Sequence, residues 1–299
     1  MPRLLIGIAV GVITTIHAPM VAGQIAKCPF ATGDTETLAK CLLRPVKKKG
    51  LLENNLSQLP APLDGLLGKP MNISRASLRR FLRAWNITEA DVGGPIAIPL
   101  PKTVRFFVIH DTSSPFLGNK NFPADIEESS WVENDLRAYR PVAHVFVNRV
   151  GESLTKVNFD LSLKATKYER DNPLEIGKFI HIELLQPRRR DPDGPPRNDF
   201  IAPEPGFSQL QLDRLALLYL VASVRRGAWL IPGFHCAIDA GIHGAHDDPQ
   251  NFDLKAWLKS LQELLAVLEP TSSFEETDCG HSFRSACNGS TFVARRAGR

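Results

Sequence analysis

Hydrophobic and polar positions alternate along two stretches of this chain and follow helical spacing along several others. Val104, Phe106 and Val108 interleave with Arg105 and Phe107 and run into Ile109 and His110, the pattern of a buried strand that ends in a histidine. Residues 142–150 predict a second strand, which turns at Gly151 and Glu152 into residues 153–157 as a hairpin. Residues 178–185 predict a third, with Ile180, Ile182 and Leu184 on one face and His181 and Glu183 on the other. Between that strand and Gly206 lie six prolines and the run Arg188-Arg189-Arg190, which reads as a long loop.

Helical spacing begins at Leu38, Leu42 and Leu43, and again at Leu78, Phe81, Leu82 and Trp85, with Ser74 or Ser77 as the cap. Gly93, Gly94 and the prolines at 95, 99 and 101 end this region. Its arginines (Arg75, Arg79, Arg80 and Arg83) suit a solvated helix face. Ser208 and Gln211 form a capping box for a helix carrying Leu212, Leu215, Leu218 and Tyr219. A last helix begins near Asp253, with Leu254, Trp257, Leu258 and Leu261 opening an apolar stripe. These elements predict an α/β (mixed α+β) fold, a central mixed β-sheet flanked by helices and extended by a small helical N-terminal subdomain.

The first residues change the picture of where the protein works. Arg3, an apolar run over residues 4–16, and Val21-Ala22-Gly23 before Gln24 make a secretory signal peptide over residues 1–23. Thr14, Thr15, His17 and Pro19 interrupt the run short of the roughly 18–20 apolar residues of a membrane anchor. An exported protein is expected, periplasmic or secreted, with no stable membrane anchor. The rest divides into a helical region at 24–100, a main domain at 101–269 and a polar tail at 270–299. Export makes the five cysteines readable as disulfides: Cys28 and Cys41 flank a helix-like segment, Cys279 and Cys287 enclose a polar loop, and Cys236 is left over.

With 299 residues, 43% hydrophobic and 23% charged, the chain buries a sizeable core, which excludes disordered and coiled-coil classes. A net charge of +4 with scattered basic residues gives no argument for nucleic acid.

Candidate chemistry concentrates in the histidines: His110 at a strand end, His144 near another strand, and His235, His243 and His246 around a glycine-bearing loop before Asp247 and Asp248. The segments Val108-Ile109-His110-Asp111-Thr112-Ser113, Ala143-His144 through Gly151-Glu152, Ile180-His181-Ile182-Glu183-Leu184, Phe234-His235 and Asp248-Pro249 through Phe252-Asp253 resemble, in order, the motifs of the type 2 N-acetylmuramoyl-L-alanine amidases. That family shares its fold with the peptidoglycan recognition proteins, and the resemblance spans residues 100–268.

The resemblance implies a zinc ion on His110, His235 and Asp248, leaving a fourth position for water. It implies Glu183 as general base and proton shuttle, and His246 where relatives carry a lysine that stabilises the developing oxyanion. His144 matches a motif histidine and reads as lining the pocket, with Asn148 on its strand face. Arg149 and the Arg188 run suit the carboxylates of a peptidoglycan or muropeptide stem. Thirteen positions separate His235 from Asp248, a loop somewhat longer than usual, and Asp247 competes with Asp248 as ligand. Two other classes compete with the amidase. A non-catalytic peptidoglycan-binding module would keep the groove, and a cysteine hydrolase would use Cys236, although neighbouring His235 and Cys236 in an extended segment point apart.

Overall fold

The computed structural model describes residues 27–194 and 200–268. The segment read as a signal peptide, residues 1–23, and the Cys279/Cys287 tail lie outside them.

Helix α1 (Thr35–Leu42) starts where Asp34 accepts a hydrogen bond from Thr37 N at 2.8 Å, and the Cys28–Cys41 disulfide ties its far end to the segment before it. The short α2 (Leu63–Leu66) and then α3 (Arg75–Ala84) follow. Ser74, not Ser77, caps α3 through the backbone N–H of Ser77. Arg75 donates to Ala97 O and Arg225 O, and Arg79 pairs with Glu89, so two of the four arginines stitch the helix to its surroundings.

Strands β1 (Phe106–Asp111), β2 (Val145–Val147), β3 (Ser153–Thr155) and β4 (Phe179–Leu184) come next, with the short helix α4 (Lys167–Asp171) between β3 and β4. The ribbon β5 (Arg189–Arg190) and β6 (Phe200–Ile201) precedes α5 (Gln209–Arg226). Then follow β7 (Ile231–Phe234), the single turn α6 (His235–Ile238) and α7 (Leu254–Leu268). The main sheet runs β3-β2-β4-β1-β7, with every pair parallel except the β2–β3 hairpin. It is the mixed sheet with helices on both faces that the sequence predicts.

Two predicted elements come out differently. The strand expected over residues 142–150 is cut to three residues, because Asn148 folds back on Glu152 through hydrogen bonds in both directions and Gly151 takes a positive φ of 77°. The loop after β4 is not free: β5 and β6 pair within it, and Arg188 at its root is buried. The capping box of α5 forms as expected, Ser208 and Gln211 each bonding the other's backbone. Gly227 ends the helix in the left-handed region that glycine adopts without strain.

All six β1 positions are buried because both sheet faces are covered. Phe107, Ile109, Ile180 and Ile182 face α5 and α7 in the largest apolar cluster, which also takes in Leu78, Phe81 and Leu82 of α3. The helical N-terminal region thus packs into the same core as the sheet. On the opposite face Phe106, Val108, Phe179 and Ile231 meet Leu38, Ala39 and Leu42 of α1. Close approach of α1 requires Gly233, where a Cβ would stand 2.9 Å from that of Leu42. The strand period then carries this second face upward from apolar to chemical: Phe106 and Phe179 stack at the bottom, His181 follows, and His110 pairs with Glu183 at the top.

Candidate metal centre

Because β1, β4 and β7 are parallel, their carboxyl ends meet at one edge, where open α/β sheets place their ligands. His110 arrives on β1, Glu183 on β4, and His235 in the turn that follows β7. Asp248 comes from a loop fastened at three points: its carbonyl accepts from Cys236 N at 2.9 Å, its Oδ2 from Asp111 N at 3.2 Å, and Gln250 N donates to Asp111 Oδ2 at 3.2 Å.

His110, His235 and Asp248 thereby form a buried group able to hold a metal ion, their ligand atoms within 4.8 Å of one another. His110 Nδ1 lies 2.9 Å from His235 Nδ1, which in turn lies 3.0 Å from Asp248 Oδ2. Of the two neighbouring aspartates, Asp248 joins this group, whereas Asp247 is half-exposed, accepts from Gln250 Nε2 at 2.6 Å and stands 3.8 Å from Arg188. His243 is exposed.

The charges of the cluster are strongly coupled. Burial would lower the His235 pKa, but Asp248 and Asp239 outweigh it and hold the ring up to about 10. Burial, then neighbouring His235, pushes His110 well below its ordinary value. Burial works against the Asp248 anion, yet His235 holds its carboxyl below the usual range. The three residues so present one neutral imidazole, one carboxylate and one imidazole whose extra proton a metal ion would replace. Two nitrogens and one oxygen suit a transition metal of zinc's type better than calcium or magnesium, which prefer oxygen alone.

Glu183 stands beside His110 in strand register, and its Oε2 is enclosed with no hydrogen-bond partner. Burial, Asp248 and Asp111 all push its carboxyl well above the ordinary range. His246 is more than half exposed, stacks on the His235 ring with centroids 4.6 Å apart, and sits 3.8 Å from Asp248. Burial and His235 lower its pKa.

The expected substrate contacts are placed otherwise. His144, Asn148 and Arg149 are 0%, 0% and 1% exposed. His144 Nδ1 accepts from His181 N and its Nε2 meets Leu161 O, each at 3.0 Å, which fixes it as a brace between strands. Asn148 builds the turn after β2, and Arg149 binds Gly206 O and Glu127 at 2.7 Å each. Arg188 likewise pairs with Asp111 at 2.7 Å. Burial keeps these side chains from the surface, although Arg149 Nε and Arg188 Nε and Nη1 have no hydrogen-bond partner. Cys236 is also buried, and burial raises its thiol pKa well above the ordinary value, which removes the thiolate that a cysteine hydrolase needs.

Three supporting residues had no role assigned from the sequence. Asp239 accepts from His235 Nε2 at 3.1 Å, one helical turn on at i+4, a spacing visible in the sequence. His181 touches His110 Nε2 at 3.0 Å, and Glu169 lies 3.2 Å from the far nitrogen of His181. Glu169 left a signature in the Thr166-x-x-Glu169 capping box, but its second contact depends on the fold.

The fold and the site together define a mixed α/β protein with a buried His/His/Asp group able to hold a metal ion at the carboxyl edge of its sheet. The chain matches no protein-family model, no curated protein and no solved structure.

Proposed function

We propose that this protein is an exported zinc-dependent amidase that hydrolyses the bond between N-acetylmuramic acid and L-alanine in peptidoglycan or its muropeptides. The observation that carries the proposal is the pairing of the buried His110/His235/Asp248 group with Glu183, a carboxyl next to it whose Oε2 has no partner. The substrate class rests on the ordered motif resemblance, and the Cys28–Cys41 disulfide agrees with an oxidising compartment.

Zinc held by His110, His235 and Asp248 would acidify a water molecule and polarise the amide carbonyl. Glu183 takes the proton from the attacking water and delivers it to the departing L-alanine nitrogen, a task suited to a carboxyl whose pKa burial raises above the ordinary range. His246 donates an N–H to the carbonyl oxygen as negative charge builds there. Asp239 and His181 hold the two imidazoles in place through their remaining nitrogens.

The test is mass spectrometry of muropeptides incubated with the mature protein, with chelator and with zinc restored. Free stem peptide bearing a new L-alanine amino terminus, lost on chelation and regained with zinc, is the expected result. A folded, zinc-loaded sample that cleaves neither muropeptides nor sacculi would overturn the proposal in favour of a binding module.

A further inference from the structure

Both metal-facing histidines turn the same nitrogen, Nδ1, toward the cluster; Nε2 of His235 meets the carboxylate of Asp239, which the short helix α4 holds, and Nε2 of His110 meets Nδ1 of His181, whose far nitrogen stands 3.2 Å from Glu169 of α4. On one side, Asp239 receives Lys167 N at 3.1 Å, Tyr168 N at 2.8 Å and His235 Nε2 at 3.1 Å. On the other, Glu169 Oε2 receives Ala165 N at 3.2 Å, Thr166 N at 3.1 Å and the Thr166 hydroxyl at 2.9 Å, and lies 3.2 Å from His181 Nε2.

The directions of these hydrogens follow one from the next. Nε2 of His181 makes no hydrogen bond, but it stands 3.2 Å from Oε2 of Glu169, and an acceptor oxygen at that distance favours a hydrogen rather than a lone pair on Nε2. A neutral imidazole with hydrogen on Nε2 has only a lone pair on Nδ1, so the hydrogen in the 3.0 Å contact between His181 and His110 belongs to His110 Nε2. His110 Nδ1 is then left with its lone pair facing His235 and Asp248. His144 does not compete for this chain, since its Nδ1 takes the backbone N–H of His181 rather than a ring nitrogen. His181 is fully buried and sandwiched, stacking on Phe179 and on His144 with interplanar angles of 16° and 11°, so the ring has no freedom to turn away.

We infer that Glu169 and His181 are positioning residues that set the tautomer of His110, and that α4, by also anchoring Asp239, presets both histidines with Nδ1 open to the metal. A zinc ligand usually gives its second nitrogen to one carboxylate or carbonyl. Here an extra imidazole stands between ligand and carboxylate, because Glu169 reaches β4 but not β1. This rests on the metal site of the proposed function but not on the reaction or its substrate.

The test replaces His181 with side chains that keep one half of the ring's chemistry. In His181→Asn the amide oxygen takes the place of Nδ1 and still accepts from His110. In His181→Gln the polar end falls at the Nε2 position, and in His181→Phe neither is kept. Zinc affinity is measured by competition with a chromophoric chelator, and long-range proton–nitrogen NMR reads the ring tautomers directly. The expected result is an affinity within a few-fold of wild type for His181→Asn and a loss of about ten- to a hundredfold for His181→Gln and His181→Phe. His110 should carry its hydrogen on Nε2 in wild type, with or without zinc. Equal affinity in all three variants, equal loss in all three, or hydrogen on His110 Nδ1 in the wild type would overturn the inference. A wild type that binds zinc as described but cleaves nothing would overturn the proposed reaction alone. A wild type that binds no zinc would overturn both.

Discussion

Nδ1 of His110 and Nδ1 of His235 stand 2.9 Å apart although 125 residues separate them in the chain. Two imidazole nitrogens at that distance need a hydrogen or a cation between them, and Asp248 at 3.0 Å from His235 adds the negative charge that favours the cation.

Zinc binding should therefore expel a proton. In the metal-free protein His235 keeps its second hydrogen up to about pH 10, while His110 is held neutral. Calorimetric titrations in buffers of different ionisation enthalpy should show about one proton released per zinc at pH 8, and affinity should rise about tenfold per pH unit between 7 and 9. The same raised pKa contributes stability to the metal-free protein that is complete below the ordinary value of 6.5 and lost as pH climbs through 10. A pH-independent zinc affinity over that window would contradict this account.

The neighbouring aspartates should differ sharply. Asp248→Asn should weaken zinc binding on the order of a hundredfold, because it removes a charged ligand. Asp247→Asn should stay within a few-fold, since Asp247 is engaged by Gln250 at the surface. Competition titrations of the two variants decide it, and the reverse order would move the ligand to Asp247.

Glu183→Gln should separate stability from catalysis. The amide keeps the shape but cannot shuttle a proton, so hydrolysis should fall by about 10² to 10⁴-fold with zinc affinity little changed. Because the folded carboxyl is pushed well above 4.5, ionising it costs stability as pH rises past that value. The variant should therefore melt near the wild-type temperature at pH 4 and above it at neutral pH in chelator, as scanning calorimetry would record. Undiminished turnover would remove Glu183 from the reaction.

The cysteines should divide by position. Cys28→Ser with Cys41→Ser opens a loop of 13-residue separation, a change worth about 3 kcal/mol of folding stability in urea titrations. Leu42 of α1 packs on Gly233 of β7, two residues before His235, so zinc affinity should weaken along with it. Cys236→Ser should retain full hydrolysis, and its loss would revive the thiol mechanism.

Local chemistry carried most of what could be read directly. Alternating residues placed β1 and β4 within a residue or two of their observed ends, and Ser208 with Gln211 marked the start of α5 because a cap acts over four residues. The strand around Phe146 was read too long, since the folding back of Asn148 onto Glu152 left no trace in hydropathy. His110, His235 and Asp248 could be named one by one only through the motif resemblance, each by a few neighbouring residues.

What the sequence could not express was direction and company. The fit of guanidinium to carboxylate made Arg149 and Arg188 read as arms for a substrate, whereas the folded chain encloses both, one held by Glu127 and Gly206, the other by Asp111. His181 was visible as a polar residue on a strand, but its place between His110 and Glu169 exists only because β4 lies beside β1 and α4 packs beneath them. Side-chain type and strand period are properties of neighbours in sequence and so are written there. Tautomer, burial and charge depend on neighbours in space, and the parallel order β4-β1-β7 alone brings those together.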